Sequence, residues 1–79
     1  MKAYGYPKGK PLNEDGLTEL EEISLSASPE QLRELSSFLL IAASEMESLG
    51  ESYDHIHMQD KSDMWKASWP DIVIAKYAE

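Results

Sequence analysis

The sequence predicts an α+β domain, a two-layer sandwich in which one helix over about residues 29–49 covers a mostly antiparallel four-stranded sheet, in the order β-β-α-β-β. Three observations predict it. A capped amphipathic run occupies the middle of the chain, strand-like runs lie on both sides of it, and 79 residues hold only one core. Residues 1–79 therefore read as a single domain.

The central helix is the clearest element. Ser28-Pro29-Glu30-Gln31 sets a serine hydroxyl where it can accept from the free N–H groups of a first turn. Pro29 fits the first helical position and Gln31 closes a capping box. Leu32, Leu35, Phe38, Leu39, Ala42, Ala43, Met46 and Leu49 then recur at three- and four-residue spacing, forming one broad apolar stripe. Gly50 supplies the stop.

Strands flank the helix. Lys2–Tyr6 reads as a short first strand ended by Pro7, and Pro7–Gly16, dense in turn formers, as a loop. Glu19–Ser26 alternates, with Ile23 and Leu25 expected inward and Leu20, Glu22 and Ser24 on the other face. That phase puts Glu19 and Glu21 on the apolar side, so they must lie past the edge of the core. Asp54–Met58 sets Tyr53, His55 and His57 against Asp54, Ile56 and Met58. Asp71–Tyr77 carries Ile72, Val73, Ile74 and Ala75 in a row, the mark of a covered or central strand. Asp60–Pro70 is a long connection with a helical turn expected over Ser62–Lys66. One helix covers one face of such a sheet, and Trp65 and Trp69, with Met64 and Tyr77, are placed to plug the other.

Composition narrows the function. There is no cysteine, so neither a disulfide framework nor a thiolate zinc site is available. The formal net charge is −8, with Lys2, Lys8, Lys10 and Lys61, Lys66, Lys76 near the two ends and Arg33 the only base between Glu14 and Asp54. Such a surface repels phosphate, so nucleic acid and anionic membrane are not expected as direct partners. The longest apolar run, Phe38–Ala43, is far short of the roughly 18 residues of a membrane span, and the first residues lack the apolar core of a signal peptide. A cytoplasmic protein is expected.

Catalytic patterns are missing from the sequence. The serines sit in no nucleophile elbow and no glycine-rich phosphate loop is present. Pairs such as Glu21–Glu22 and Glu45–Glu47 lack the enclosure that separates an acid from a base. A non-enzymatic role without cofactor is expected. His55-Ile56-His57 is the one metal-like spacing, because strand residues two apart share a face. Two ligands fall short of the three or four a zinc site needs, so no metal is assigned; a metal pair of His55 and His57 is the alternative reading.

Two surfaces are candidates for a protein partner. Ile41 lies well off the apolar stripe, in a sector shared with Glu30, Glu34 and Glu45, and Leu40 adds a second off-stripe apolar residue. The open sheet face, with His55, His57, Tyr53, Trp65 and Trp69, is the other, either for a partner or for a second copy in a homodimeric accessory module.

The motifs resemble those of a family of small bacterial proteins, immunity protein 32, assigned to polymorphic toxin systems. The resemblance runs from Leu17 to Ala75. It is carried by Leu20-Glu21-Glu22-Ile23-Ser24-Leu25 leading into Ser28–Leu35, by Glu45-Met46-Glu47, by His55-Ile56-His57-Met58, and by Trp69-Pro70-Asp71-Ile72-Val73-Ile74. It implies a non-enzymatic protein that binds and blocks a cognate toxin, with His55, His57, Trp69 and Asp71 matching the recurrent motif. An acidic chain suits a basic nuclease toxin, since complementary charge speeds capture.

Overall fold

The structure is a computed structural model that describes residues 1–12 and 16–76. Tyr77 and the middle of the expected Pro7–Gly16 loop, residues 13–15, lie outside the described residues. The elements run β1 (Lys2–Leu12), β2 (Thr18–Ser26), α1 (Pro29–Leu49), a 3-10 turn (Gly50–Ser52), β3 (His55–His57), α2 (Met58–Lys61) and β4 (Val73–Ala75). The short α2 is added between the last two strands, and the α+β class with one main helix holds. The single four-stranded sheet does not: among the described residues β1 pairs only with β2 and β3 only with β4, in two separate antiparallel ribbons.

α1 forms where its caps dictate. Ser28 Oγ accepts from the Gln31 N–H at 3.1 Å and Gln31 Oε1 accepts from the Ser28 N–H at 2.8 Å, a complete capping box. Such a cap is worth about 1 kcal/mol. The helix ends at Gly50, whose φ of 55° a side chain would resist and whose N–H reaches back to the Met46 carbonyl.

Of the predicted stripe, Leu35, Phe38 and Ala42 are buried, whereas Leu32, Leu39 and Leu49 stay exposed. The reason is width. Among the described residues the narrow β3–β4 ribbon, α2, the 62–72 segment and Met1 pack on the core that α1 contributes to, with Ile56 and Ile74 facing inward as the central pair of the ribbon. Phe38 and Met58, 1% and 0% exposed, form the centre of this core, with Leu35 and Trp69 around them. Trp65, Met64 and Ile72 pack on its margin, so the two tryptophans do fill the core.

Several local readings change. The helical turn falls at Met58–Lys61 rather than Ser62–Lys66, because β3 ends at His57 and the Met58 N–H turns to the Ile72 carbonyl at 2.8 Å. Tyr53 is buried rather than on the open face, its hydroxyl donating to the Ile74 carbonyl at 2.5 Å. β1 continues through Pro7 to Leu12, where a loop was expected.

Pro7 also explains the phase of β2. Tyr6 pairs with Glu22 but Pro7 pairs with Leu20, so Glu21 is an extra residue bulged out of the ladder at the point where proline offers no N–H. The bulge reverses the alternation. Leu20 joins Ile23 and Leu25 on one face, and its δ-carbons lie over Gly5, where an added Cβ would meet Cδ1 at 2.6 Å. The apolar face of β2 is thus Leu20, Ile23 and Leu25, and the acids need no place at the edge of a core. Nor is that face inward: every residue of β2 is exposed, Ile23 at 62%. The hairpin meets the helical layer chiefly at its ends, where Met1 packs on the core and Leu17 lines a groove beside His55 and Val73.

Candidate functional site

β3 is short but well fixed. His55 pairs with Ala75, Ile56 with Ile74 and His57 with Val73, and backbone bonds at both ends, Lys76 N–H to the Asp54 carbonyl and Met58 N–H to the Ile72 carbonyl, prolong the ladder. Because Ile56 and Ile74 take the inner face, period-two alternation turns His55, His57, Val73 and Ala75 outward. They line an open groove of about 440 Å³ with Leu17, Asp54 and Lys76.

Each imidazole is held by its own carboxylate. His57 Nδ1 lies 2.6 Å from Asp71 Oδ2, and the other oxygen of Asp71 accepts the Gln59 N–H at 3.1 Å. One carboxylate thereby ties the segment before β4 to β3 and to the first turn of α2. His55 Nδ1 lies 2.5 Å from Asp54 Oδ2. The rings meet edge to face, 5.0 Å between centroids and 77° between planes. With both Nδ1 atoms occupied, Nε2 is the nitrogen each ring offers to an incoming group. The His57–Asp71 pair is the more sheltered, and the His55–Asp54 pair is open to solvent, where such a contact contributes at most about 1 kcal/mol.

The other sequence candidates are elsewhere. Glu34 accepts from Ser62 Oγ at 2.6 Å and Glu45 lies 3.3 Å from Lys61 Nζ, so both acids tie α1 to the end of α2. Glu30 is exposed in the first turn of α1, and Leu40 and Ile41 are exposed farther along it. Trp69 is buried; Trp65 is partly buried and donates through Nε1 to the Pro70 carbonyl at 3.0 Å. The structure therefore unites His55, His57 and Asp71 and separates them from the Ile41 sector. Asp54 was missed because alternation assigns it to the opposite face, yet it precedes the strand and reaches its neighbour's ring. Among the described residues no three histidine, aspartate or glutamate side chains gather as a metal-ligand set.

Beneath this face Tyr53 carries a testable charge property. Burial pushes its phenol above the ordinary value, and the nearby carboxylates of Glu45 and Asp54 push the same way. A proton held more tightly in the folded state gives stability that is complete below about pH 10 and lost as pH rises beyond it. Tyr53→Phe is expected to cost about 1 kcal/mol at pH 7, for the lost hydrogen bond to Ile74. Urea titrations at pH 7 and pH 11 should show the gap between the two proteins closing at the higher pH; a constant gap would refute the phenol's role.

A sequence profile of one family, described as Immunity protein 32, matches residues 22–77. This chain belongs to the immunity protein 32 family. Membership points to a toxin-neutralising, protein-binding role. No curated protein and no solved structure matches the chain. The immunity protein 32 match takes in α1, both histidines, Trp69 and Asp71, whereas β1 and the start of β2 precede it. Among the described residues no helix of this immunity protein is long and apolar enough to cross a membrane.

Proposed function

We propose that this immunity protein captures its cognate toxin on the outer face of β3–β4 and blocks it by occupation, with no chemical step of its own. The observation that carries this reading is the pair of partly exposed imidazoles, each fixed through Nδ1 by a carboxylate beside an open groove. Rings already held in place lose little rotamer freedom when a partner arrives, so more of the contact energy appears as affinity. Val73, exposed on the same face, adds apolar area next to them. The net charge of −8 suits a basic toxin, such as a nuclease whose own site attracts phosphate, because opposite charge raises the rate of capture.

The test compares three tagged proteins in lysate of the native host: wild type, a His55→Ala/His57→Ala double variant, and Ile41→Arg. A single basic protein recovered at about one to one with wild type and with Ile41→Arg, but at least tenfold less with the double variant, is the expected result. Loss with Ile41→Arg and retention by the double variant would move the site to the outer face of α1. Ile41 is exposed, so a melt within about 3 °C of wild type is expected for Ile41→Arg. The double variant loses the part-buried His57–Asp71 contact, is expected to melt several degrees lower, and is compared at a temperature where it is folded.

A further inference from the structure

Independently of the toxin reading, we propose that His55 and His57 together bind one divalent first-row transition ion through their Nε2 atoms, with water completing its coordination in the open groove.

Both rings are prepared as metal ligands. A histidine that holds a metal nearly always gives its other ring nitrogen to a carboxylate or carbonyl, which fixes the tautomer, aims the ring and makes the ligating nitrogen more basic. Here His57 Nδ1 lies 2.6 Å from Asp71 Oδ2 and His55 Nδ1 lies 2.5 Å from Asp54 Oδ2. Asp71 is itself held by the Gln59 N–H at 3.1 Å, so the more sheltered pair has a fixed orienting group. In a neutral ring that donates from Nδ1, the free lone pair is on Nε2.

The spacing of the rings also fits one ion. An imidazole nitrogen lies about 2.0–2.1 Å from zinc, which puts the ring centre about 3.2 Å from the metal. Two such rings at a tetrahedral angle have centres about 5 Å apart. The centres of His55 and His57 are 5.0 Å apart. The 77° between their planes is compatible, because coordination fixes the nitrogen and leaves each ring free to turn about its metal–nitrogen axis. β3 maintains the spacing: residues two apart on a strand share a face, and the ladder to β4 is bonded at both ends.

The donors select the class of ion. Imidazole suits copper(II), nickel(II) and zinc(II), whereas calcium and magnesium require a set of oxygens. Copper(II) binds tightest in that series. Two protein donors leave the other positions to water, and a groove of about 440 Å³ has room for it. Asp54 and Asp71 offset the charge of the ion. Lys76, which also lines the groove, places its ammonium on the Glu51 carbonyl at 3.3 Å. Such a site exchanges its ion without unfolding the chain, unlike a closed structural centre.

Calorimetric titration of the full chain with copper(II), nickel(II) and zinc(II) chloride at about pH 7.5 in a non-chelating buffer, without toxin, tests this. The expected result is one ion per chain, with a Kd below about 100 µM for copper(II) and weaker binding of the other two. The chain has two histidines and no cysteine, so no other imidazole and no thiol competes. His55→Ala and His57→Ala should each weaken copper(II) binding at least tenfold. Since the His55–Asp54 pair is exposed, His55→Ala keeps the test decisive should His57→Ala fail to fold. With zinc(II), the Nε2 resonances of both rings should shift together in a long-range proton–nitrogen correlation spectrum. A millimolar Kd, a ratio other than one to one, or copper(II) binding that survives in His55→Ala would overturn the proposal. No toxin enters the titration, so its failure leaves the toxin reading standing.

Discussion

Phe38→Ala is expected to leave most of the chain unfolded at 37 °C. Phe38 is 1% exposed and stands in the core beside Met58, which is fully buried. Truncating a buried phenylalanine costs about 3–5 kcal/mol, the lost transfer energy plus the cavity left behind. A single core in a chain of this size rarely supplies more than about 3–5 kcal/mol in total. The loss and the whole stability are thus of the same order. Leu35 and Trp69 line the resulting hole, and α1 is too rigid to collapse into it. Thermal melts followed at the helix circular dichroism band should show a fall in Tm of at least about 12 °C, or no transition. Phe38→Leu, which keeps most of the volume, should cost less than about 1.5 kcal/mol. A fall of under 5 °C for Phe38→Ala would mean that the core is organised around something else.

Trp69→Ala should be nearly as damaging, and its effect on toxin capture should be indirect. Trp69 is 8% exposed, packed with Leu35, Phe38 and Met58, and its backbone N–H closes a turn onto the Lys66 carbonyl at 2.9 Å. Removing the indole costs about 3–5 kcal/mol and releases the segment that presents Asp71 to His57. Binding should therefore fall together with Tm, and Trp69→Phe should restore most of both. If Trp69→Ala held its Tm within about 3 °C of wild type and still lost the toxin, the indole would be a contact residue rather than a core one.

What the sequence made legible was local. Ser28 and Gln31 fix the start of α1 by short-range hydrogen bonds, Gly50 fixes its end by a backbone angle, and both were readable because cause and effect lie within four residues. Alternation set Ile56 and Met58 against His55 and His57, and both face inward, but it grouped buried Tyr53 with the histidines because the strand is only three residues long. The sheet count was not legible, because nothing in an alternating run says which other run it will meet. β2 alternates as a half-covered strand does, yet α1 is already occupied by β3–β4 and the tryptophan segment. The Glu21 bulge was hidden for a related reason. Pro7 signals a break in the strand that contains it, but the extra residue appears on the strand opposite.

The candidate site was half legible. His55 and His57 share a face by spacing, and Asp71 matched the family motif. Asp54 did not follow, since its side chain reaches the ring from just outside the regular strand. Glu34 and Glu45 read as part of an acidic outer surface, but Ser62 and Lys61 come within reach only once α2 folds back on α1.

The Glu21 bulge has one more effect. A two-stranded ribbon has two bare edges, and a bare edge invites further strands and, in the end, fibres. Here the β1 strand carries Lys2 and Lys8 and the β2 strand carries Glu19, Glu21 and Glu22, so adding like strand to like sets equal charges against each other. Only the crossed pairing, β1 of one molecule on β2 of the next, escapes that repulsion, and there the bulged Glu21 breaks the regularity of the β2 edge. The hairpin thus keeps two exposed strands while like charges and a bulge stand in the way of growth into longer sheets.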